Sequence, residues 1–314
     1  MKNIKAMKSV YSYYFPEIRQ MIDDLTRKFP HEVFLQSITP GLDDFHFKII
    51  DRYQEFIKLY LPNLADFKYR YFTNGSSEGI FHLLIYLTVN YPDVPIYVFK
   101  GEYEGYGQYA LQLKKEIIEV DFESDPKKME NGFWFISNPS ARNGNIIPNE
   151  KINRICDAGH KVIIDGAYVG LTKPFCFDIT HPNIFAYVSS LSKPLGLFYY
   201  RIGFVFSREE IKTLYPNIWF KNIFSLLIAD EIFKKFKCDY FYNKYRKLQI
   251  RVIGEIREDT GLPIKASDSL LLGYFNEKEG EETGEGVQEG IKRFQRGEFY
   301  RFCLTPYFLE KEFH

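Results

Sequence analysis

The stretch KVIIDGAYVG, residues 161–170, places Asp165 at the end of a wholly apolar run. Short apolar runs of this kind, each followed by a turn signal and a segment long enough for a helix, recur from residue 69 to residue 206. This alternation is typical of a parallel sheet covered by helices. We therefore predict an α/β fold with a mostly parallel seven-stranded sheet sandwiched by helices, its strands at residues 69–73, 96–99, 116–120, 133–137, 162–165, 185–189 and 202–206.

The length of the chain predicts a large domain and a smaller one. There are 314 residues, 45% of them hydrophobic and 18% aromatic, and single cores stop growing at roughly 250 to 300 residues. We assign residues 1–40 to an N-terminal arm that lies partly in the small domain, 41–210 to the large domain, and 211–314 to an interdomain helix and a small α+β C-terminal domain. Within these regions we predict a buried helix at 76–90, a bridging helix at 211–236, a solvated loop or hairpin tip at 276–290 and a terminal strand at 299–304.

Charge and cysteine usage exclude several classes of protein. The 41 Lys and Arg residues balance 41 Asp and Glu residues, so we expect no nucleic acid partner. The sequence contains no run of about 18 uncharged apolar residues and no signal-like N-terminus, so we expect a soluble, cytoplasmic protein with no membrane partner. Four widely separated cysteines predict free thiols. Cys156 and His160 could share a helix face, but two ligands are too few and we predict no metal site.

The segment SLSKPLGLFYYRIGF, residues 190–204, contains the first candidate functional residue. Lys193 follows a predicted buried strand, and lysine is seldom buried without a function. Enclosure would lower the pKa of its amine from about 10.4 and leave a neutral nucleophile able to form a Schiff base. The alternative is an exposed loop lysine.

Two further segments place polar groups at strand ends, where open α/β sheets bind ligands. A buried Asp165 needs a cationic partner, such as a pyridinium nitrogen, and the alternative is a helix-capping role. The segment TNGSSEG, residues 73–79, lies between a predicted strand and a predicted buried helix. Its backbone N–H groups and the helix dipole would hold a phosphate group.

Taken in order, these segments resemble the aspartate aminotransferase superfamily of pyridoxal-phosphate enzymes, in its class I/II branch, which includes the histidinol-phosphate aminotransferases. The resemblance extends from about residue 60 to residue 206, with one more point near residue 301. It implies pyridoxal 5'-phosphate as the cofactor and three catalytic residues, the Schiff-base lysine Lys193, the pyridinium partner Asp165 and Tyr168, which would bond the phenolic oxygen. The phosphate ligands that it implies are Gly75, Ser76, Ser77, Ser190 and Arg201.

Three more matches concern the walls of the implied site. GEYEGYG, residues 101–107, corresponds to the family's Pro-x-aromatic-x-x-Tyr stretch, with glycine in place of the usual proline. This match implies Tyr103 as the ring stacked on the cofactor, with Tyr106 as the alternative. YRFCLTP, residues 300–306, resembles the strand whose arginine holds the substrate α-carboxylate, which implies Arg301, with Arg296 as the alternative. Tyr60, in LYLPN, resembles the tyrosine that reaches the phosphate of a neighbouring subunit.

One stretch departs from the family pattern. Where the family usually reads Asn-Pro-Thr-Gly, this chain reads SNPSARNG, residues 137–144. Alignment on the Asn-Pro dipeptide assigns the asparagine that touches the phenolic oxygen to Asn138, whereas alignment on Gly144 places Ala141 in that position. We favour Asn138 as the cofactor ligand.

The resemblance implies a ping-pong aminotransferase that moves an amino group between an amino acid and a 2-oxo acid. It also implies a homodimer, because relatives complete each site with residues from both subunits. Fold and cofactor do not fix which bond breaks. Decarboxylation, elimination or oxidation on the same scaffold therefore remains an alternative, as does a non-catalytic cofactor-binding relative.

Overall fold

The computed structural model describes residues 4–28, Leu35, Ile38, 41–281 and 290–312. Its larger sheet consists of seven strands: β1 (Tyr69–Thr73), β2 (Ile96–Phe99), β3 (Ile117–Val120), β4 (Phe133–Ser137), β5 (Lys161–Asp165), β6 (Ile184–Ser190) and β7 (Gly203–Ser207). Their order in the sheet is β1-β7-β6-β5-β4-β2-β3. Strands β2 to β6 are mutually parallel, whereas β7 is antiparallel to β1 and β6. The predicted α/β fold with a mostly parallel seven-stranded sheet is confirmed.

Among the described residues, two helices precede the first strand, and the others lie between the strands or after them. The helices are α1 (Pro16–Lys28), α2 (Phe45–Ile57), α3 (Ser76–Asn90), α4 (Glu104–Gln112), α5 (Asn149–Asp157), α6 (Ile223–Lys235), α7 (Tyr240–Thr260), α8 (Glu277–Glu281) and α9 (Thr305–Glu312). The buried helix predicted at residues 76–90 is confirmed as α3.

Two apolar clusters bury the two faces of the larger sheet. Side chains alternate across a strand, and in β6 Val188 belongs to one cluster while Tyr187 belongs to the other. Helices α3 and α4 contribute to the first cluster, and α2 and α5 contribute to the second. The sheet is therefore a central layer between two layers of helices, and its strands read as continuous apolar runs for that reason.

A smaller antiparallel sheet forms from the C-terminal part of the chain. Its strands are β8 (Lys265–Ala266), β9 (Leu272–Asn276), β10 (Gln295–Arg296) and β11 (Phe299–Cys303), in the order β10-β11-β9-β8. In the N-terminal segment, Met7 forms an antiparallel bridge with Cys303 of β11. The division of the chain into domains at residues 40 and 210 stays a prediction.

Strand pairing brings several candidate residues to one edge of the larger sheet. Ser137, the last residue of β4, pairs with Asp165, the last residue of β5. Ser190 at the end of β6 pairs with Gly203, and Gly203 also pairs with Thr73 at the end of β1. The segments that follow these strands therefore start from one edge, and the candidate site lies there.

Two predicted elements differ from the structure. The helix predicted at 211–236 is interrupted: a 3₁₀ segment, Lys212–Ile218, contains Pro216, and α6 begins only after Asn222, whose side chain accepts from the N–H of Ser225. Proline and an asparagine cap both favour this break. In the predicted loop at 276–290, residues Glu277–Glu281 form α8. Residues 282–289 lie outside the described residues.

The structure also describes two features considered in the sequence, a membrane-spanning helix and a metal site at His160. Within the described ranges, no helix has the length and apolar content needed to cross a membrane. His160 accepts from the N–H of Gly132 through Nδ1 and contacts the carbonyl of Pro126 through Nε2. Backbone groups therefore occupy both ring nitrogens of His160.

Candidate active site

Lys193 lies in the turn that follows β6, beside Asp165 and Tyr168. Its side chain is partly buried, and its Nζ atom is 5.0 Å from the centroid of the Tyr168 ring. Burial lowers the pKa of Lys193, Asp165 opposes this shift, and the guanidinium of Arg301 adds to it. The amine is thus driven towards its neutral, nucleophilic form.

Asp165 ends β5 and is only 4% exposed. Its Oδ1 accepts from the N–H of Ala167 at 3.0 Å, and its Oδ2 accepts from the hydroxyl of Tyr106 at 2.9 Å. Burial raises the pKa of Asp165, while Lys193 and these two donors pull it back down. Donors on both oxygens stabilise the ionised carboxylate, so Asp165 is equipped to face a cation.

The two tyrosines of the GEYEGYG stretch have different surroundings. Tyr103 lines the cavity beside Lys193 and is 37% exposed. Tyr106 is 1% exposed and donates to Asp165, so its ring lies in the core. Of the two, the structure places Tyr103 where a ring could stack on a bound group. Burial raises the pKa of Tyr103, and that of the cavity-lining Tyr168, to about 12, so both phenols are protonated at neutral pH.

The turn before α3 and Arg201 form one wall of the cavity together. Gly75 is the N-cap of α3 and has φ +89°. A Cβ atom at Gly75 would lie 2.8 Å from Cζ of Arg201, so this approach of the arginine requires glycine. Ser76, Ser77 and Ser190 line the same cavity. The N-terminus of α3 and the guanidinium therefore face one space, which suits a phosphate group.

Arg201 has neutral partners. Its Nη1 donates to the Ser192 hydroxyl at 3.3 Å and to the Phe198 carbonyl at 3.1 Å. In the described part of the chain, no carboxylate forms an ion pair with Arg201. Its charge is therefore available to an anionic ligand.

Arg301 lies in β11 and is 4% exposed. Its guanidinium donates to the carbonyls of Ala141 and Lys8, and among the described residues its buried Nε has no hydrogen-bond partner. Arg296 forms a bidentate ion pair with Glu104, at 2.5 and 2.9 Å. Both arginines line the cavity, but Arg301 is the one held by neutral carbonyl groups, which leaves its charge for a carboxylate.

Two residues predicted as cofactor ligands have other hydrogen-bond partners in the structure. Asn138 is 1% exposed, and its amide both donates to and accepts from the backbone of Ile147, each at 2.9 Å. Ala141 lines the cavity instead. Tyr60 is fully buried, and its hydroxyl donates to the carbonyl of Thr172 within the same chain at 2.8 Å. Both side chains thus bond within their own chain, and their roles as cofactor ligands stay predictions.

Sequence reasoning missed other residues of the cavity wall. Ser9 and Val10 come from the N-terminal segment, and Ser137 and Ser192 come from strand ends. Nothing local marks the N-terminal pair, because their position depends on the bridge between Met7 and Cys303. The serines follow or end predicted strands, which is the signal that could have found them.

The residues present fit pyridoxal 5'-phosphate. The cavity has a volume of about 360 Å³, within the usual range for small-molecule sites of about 300 to 1,000 Å³. It combines an amine of lowered pKa, a buried carboxylate, and a glycine-dependent cradle for a phosphate. Its basic lining residues are Lys193, Arg201, Arg296 and Arg301, and its acidic ones are Glu104 and Asp165. Even with the Lys193 amine neutral, three guanidinium groups outnumber two carboxylates. This excess of positive charge suits an anionic cofactor and an anionic substrate.

Comparisons with known proteins agree with this fit. A histidinol-phosphate aminotransferase of Pyrococcus furiosus is 28% identical over 145 residues, which are 44% of this chain and 43% of the relative. That of Thermococcus gammatolerans is 25% identical over 146 residues, 44% of this chain and 42% of the relative. The matched stretch thus spans less than half the length of these relatives.

Solved structures resemble the whole chain in fold. An L-threonine-O-3-phosphate decarboxylase from Porphyromonas gingivalis superposes with a TM-score of 0.64 at 13% identity, covering 97% of this chain and 99% of that one. An aminotransferase from Staphylococcus aureus gives a TM-score of 0.69 at 15% identity, covering 96% and 90%. The profile of the family "Aminotransferase class I and II" matches residues 42–230, more than half of the chain. The chain belongs to the class I and II aminotransferase family, whose cofactor is pyridoxal 5'-phosphate.

Proposed function

We propose that this chain is an aminotransferase that moves the amino group of an amino acid to a 2-oxo acid by a ping-pong mechanism. The observation that carries the proposal is the cavity in which Lys193 lies beside the buried Asp165, with two arginines, Arg201 and Arg301, held by neutral groups. These groups match a cofactor with a phosphate and a ring nitrogen and a substrate with a carboxylate.

Pyridoxal 5'-phosphate supplies an aldehyde that condenses with amines and a ring that takes up electrons from the bond that breaks. Lys193 would be the amine that holds this aldehyde in the resting enzyme. Its lowered pKa also suits Nζ to accept the proton from the α-carbon of the amino donor as a general base. Lys193 is therefore the residue to which we assign both roles.

The other cavity residues would bind and orient. Asp165 would hold the proton on the ring nitrogen, while Tyr106 and Ala167 fix the orientation of its carboxylate. Tyr103 would stack on the ring and Tyr168 would donate to the phenolic oxygen. The phosphate ligands would be Gly75, Ser76, Ser77, Ser190 and Arg201.

Arg301 would hold the α-carboxylate of the substrate. A guanidinium pairs with a carboxylate through two parallel hydrogen bonds, which fixes the orientation as well as the affinity. Two carbonyl groups already hold Arg301 in place. We therefore expect the amino donor and the acceptor both to be α-carboxylates.

A single-turnover experiment tests the proposal. Protein loaded with pyridoxal 5'-phosphate is mixed with each of the proteinogenic amino acids, without an acceptor, and the products are quantified by chromatography. We expect one equivalent each of pyridoxamine 5'-phosphate and a 2-oxo acid per site with at least one donor, and Lys193→Arg, which keeps the charge but not the nucleophile, should form neither.

The same experiment separates the alternative reactions. Decarboxylation would release labelled carbon dioxide from a carboxyl-labelled amino acid and leave the cofactor in its aldehyde form. Elimination would release the 2-oxo acid and ammonia while the cofactor is regenerated. Either result, without pyridoxamine 5'-phosphate, would contradict amino-group transfer.

We also propose that the chain forms a homodimer. Phe198 lines the cavity and is 41% exposed, and the adjacent Tyr199 is 89% exposed. Large aromatic side chains beside a cavity are typical of surfaces that a partner covers, and a second copy would complete the site. Sedimentation equilibrium should give the mass of a dimer, and Tyr199→Glu should shift the mass towards that of a monomer. A monomeric parent protein would contradict the proposal.

We propose a cytoplasmic location. Its support is that Cys156, Cys176, Cys238 and Cys303 are all free thiols, a usage typical of reducing compartments. Fractionation of the source cells should recover the protein with cytoplasmic markers, and recovery in the extracellular or membrane fraction would contradict this location.

A further inference from the structure

Glu102 is a second buried carboxyl group close to the cavity. It lies between β2 and α4 and is 5% exposed. Its Oε2 accepts from the Ser137 hydroxyl at 2.5 Å and from the N–H of Tyr103 at 3.3 Å. Its Oε1 is buried and, among the described residues, receives no hydrogen bond.

Glu102 and Asp165 have different hydrogen-bond environments. Asp165 receives a donor on each oxygen and has Lys193 nearby. Glu102 receives donors on one oxygen only. The cation that favours the ionised form of Glu102 is Arg142, whose guanidinium also donates to the Lys100 carbonyl and to Glu298. Burial raises the pKa of both groups. Because donors on both oxygens and a nearby cation favour the charged form, the ionised form of Asp165 has more support than that of Glu102.

A continuous series of hydrogen bonds connects Glu102 with the candidate substrate arginine. Ser137 donates to Glu102 and accepts from the N–H of Ala141 at 2.6 Å. The carbonyl of Ala141 then accepts from Arg301. Ser137 and Ala141 both line the cavity, and Ser137 pairs with Asp165 across the sheet. Glu102 therefore supports the cavity wall between Asp165 and Arg301.

We propose that Glu102 is a positioning residue: as a buried acid with no ion-pair partner among the described residues, it anchors Ser137 and Ala141 in its neutral form and leaves Asp165 as the ionised carboxylate at this end of the cavity. The inference deepens the proposed function and rests on it, since it concerns the same cavity. Pairs of carboxyl groups whose environments separate their pKa values are a known way to assign a neutral and an ionised role.

The groups around Glu102 determine in which direction its pKa changes when one of them is replaced. Burial raises the pKa of Glu102 to about 7, Ser137 and Arg142 act to lower it, and Asp165 acts to raise it. The phenol of Tyr106 on α4 also faces Glu102, and its own pKa is held well above the usual value. Tyr106 thus stays neutral while Glu102 titrates.

Carbon-13 NMR of the cofactor-free protein, labelled at the glutamate side-chain carboxyl carbon, tests the proposal directly. We expect one carboxyl resonance that titrates near pH 7, is absent in Glu102→Gln, and persists in the control Glu119→Gln, which removes an exposed glutamate of β3. Asp165→Asn should shift this titration to lower pH because it removes a negative neighbour. Ser137→Ala should shift it to higher pH because it removes a donor to the carboxylate.

A second readout connects Glu102 with the cofactor. The dissociation constant of pyridoxal 5'-phosphate, measured against pH, should show a break near pH 7 that Glu102→Gln removes and Glu119→Gln keeps. The proposal would be overturned if Glu102 titrates near pH 4.5 or if its titration does not respond to Asp165→Asn. If Glu102→Gln fails to fold, the shift of the titration in Ser137→Ala identifies the resonance of Glu102 instead. Failure of the cofactor to bind at any pH would instead contradict the proposed function, and the NMR result would not depend on it.

Discussion

Replacing Gly75 by alanine tests the phosphate cradle with a single methyl group. Gly75 has φ +89° and ψ 166°, a backbone region that is almost exclusive to glycine. A Cβ atom at this position would also lie 2.8 Å from Cζ of Arg201. Alanine therefore has to strain the backbone and displace the guanidinium at the same time.

The two effects have separate magnitudes. Backbone strain at such a position costs about 1 to 3 kcal/mol in the free energy of unfolding. Displacement of Arg201 removes a charge-assisted hydrogen bond of about 1.5 to 3 kcal/mol from a bound phosphate. The second figure corresponds to a weakening of pyridoxal 5'-phosphate binding by about 10- to 150-fold.

The assay combines urea unfolding of the cofactor-free protein with a fluorescence titration of the cofactor under conditions where each variant is folded. The matched control is Gly107→Ala in α4, where an added Cβ meets no atom within 4 Å and alanine is expected to stabilise the helix by about 0.5 to 1 kcal/mol. Cofactor affinity equal to that of the parent in folded Gly75→Ala would refute the cradle.

Further substitutions test the remaining assignments. Lys193→Ala should abolish the borohydride-reducible adduct with pyridoxal 5'-phosphate, and peptide mapping of the parent should locate the label at residue 193. Arg301→Met should raise KM for the amino donor by about 10- to 150-fold, since a charge-assisted pair is worth about 1.5 to 3 kcal/mol, and should leave cofactor affinity unchanged in the titration. Tyr60→Phe should cost about 0.5 to 1.5 kcal/mol of stability in urea without changing cofactor affinity, whereas a phosphate ligand would change it. Between pH 4.5 and about 7 the folded chain holds a proton on Glu102 that the unfolded chain has released. The free energy of unfolding of the cofactor-free protein should therefore fall as pH rises, by up to about 3 kcal/mol. Glu102→Gln should remove that part of the pH dependence.

Local sequence predicts those features of the fold and site that depend on the end of a strand. Asp165, Ser190 and Gly75 each follow or end an apolar run, and strand pairing brings such positions to one edge of the sheet. The helix after Gly75 is marked by its own apolar residues, which is why its bounds are predicted correctly. These features require no knowledge of distant contacts.

The features that could not be predicted depend on contacts between distant segments. Tyr60 matches a short motif, but its hydroxyl donates to the carbonyl of Thr172, 112 residues away. Asn138 matches a dipeptide, but its side-chain amide donates to the carbonyl of Ile147 and accepts from the N–H of the same residue. In the sequence Glu102 is an ordinary turn residue, and only the fold brings the Ser137 hydroxyl into hydrogen-bond contact with it. In each case the partner of the polar group, and not its residue type, decides its role.

Ala141, the alternative to Asn138 at the family's asparagine position, and Glu102 affect the same part of the cavity. If Ala141 takes that position, a methyl group lines the cavity where the family has an amide, and the side chain provides no hydrogen bond. Its backbone, however, is held on both sides, by Ser137 through its N–H and by Arg301 through its carbonyl. Because Ser137 is in turn held by Glu102, the wall keeps its position without the asparagine. Ala141→Asn should therefore strengthen cofactor binding if the added amide fits without breaking these bonds. A weaker cofactor affinity would show that the cavity wall has no room for the larger side chain.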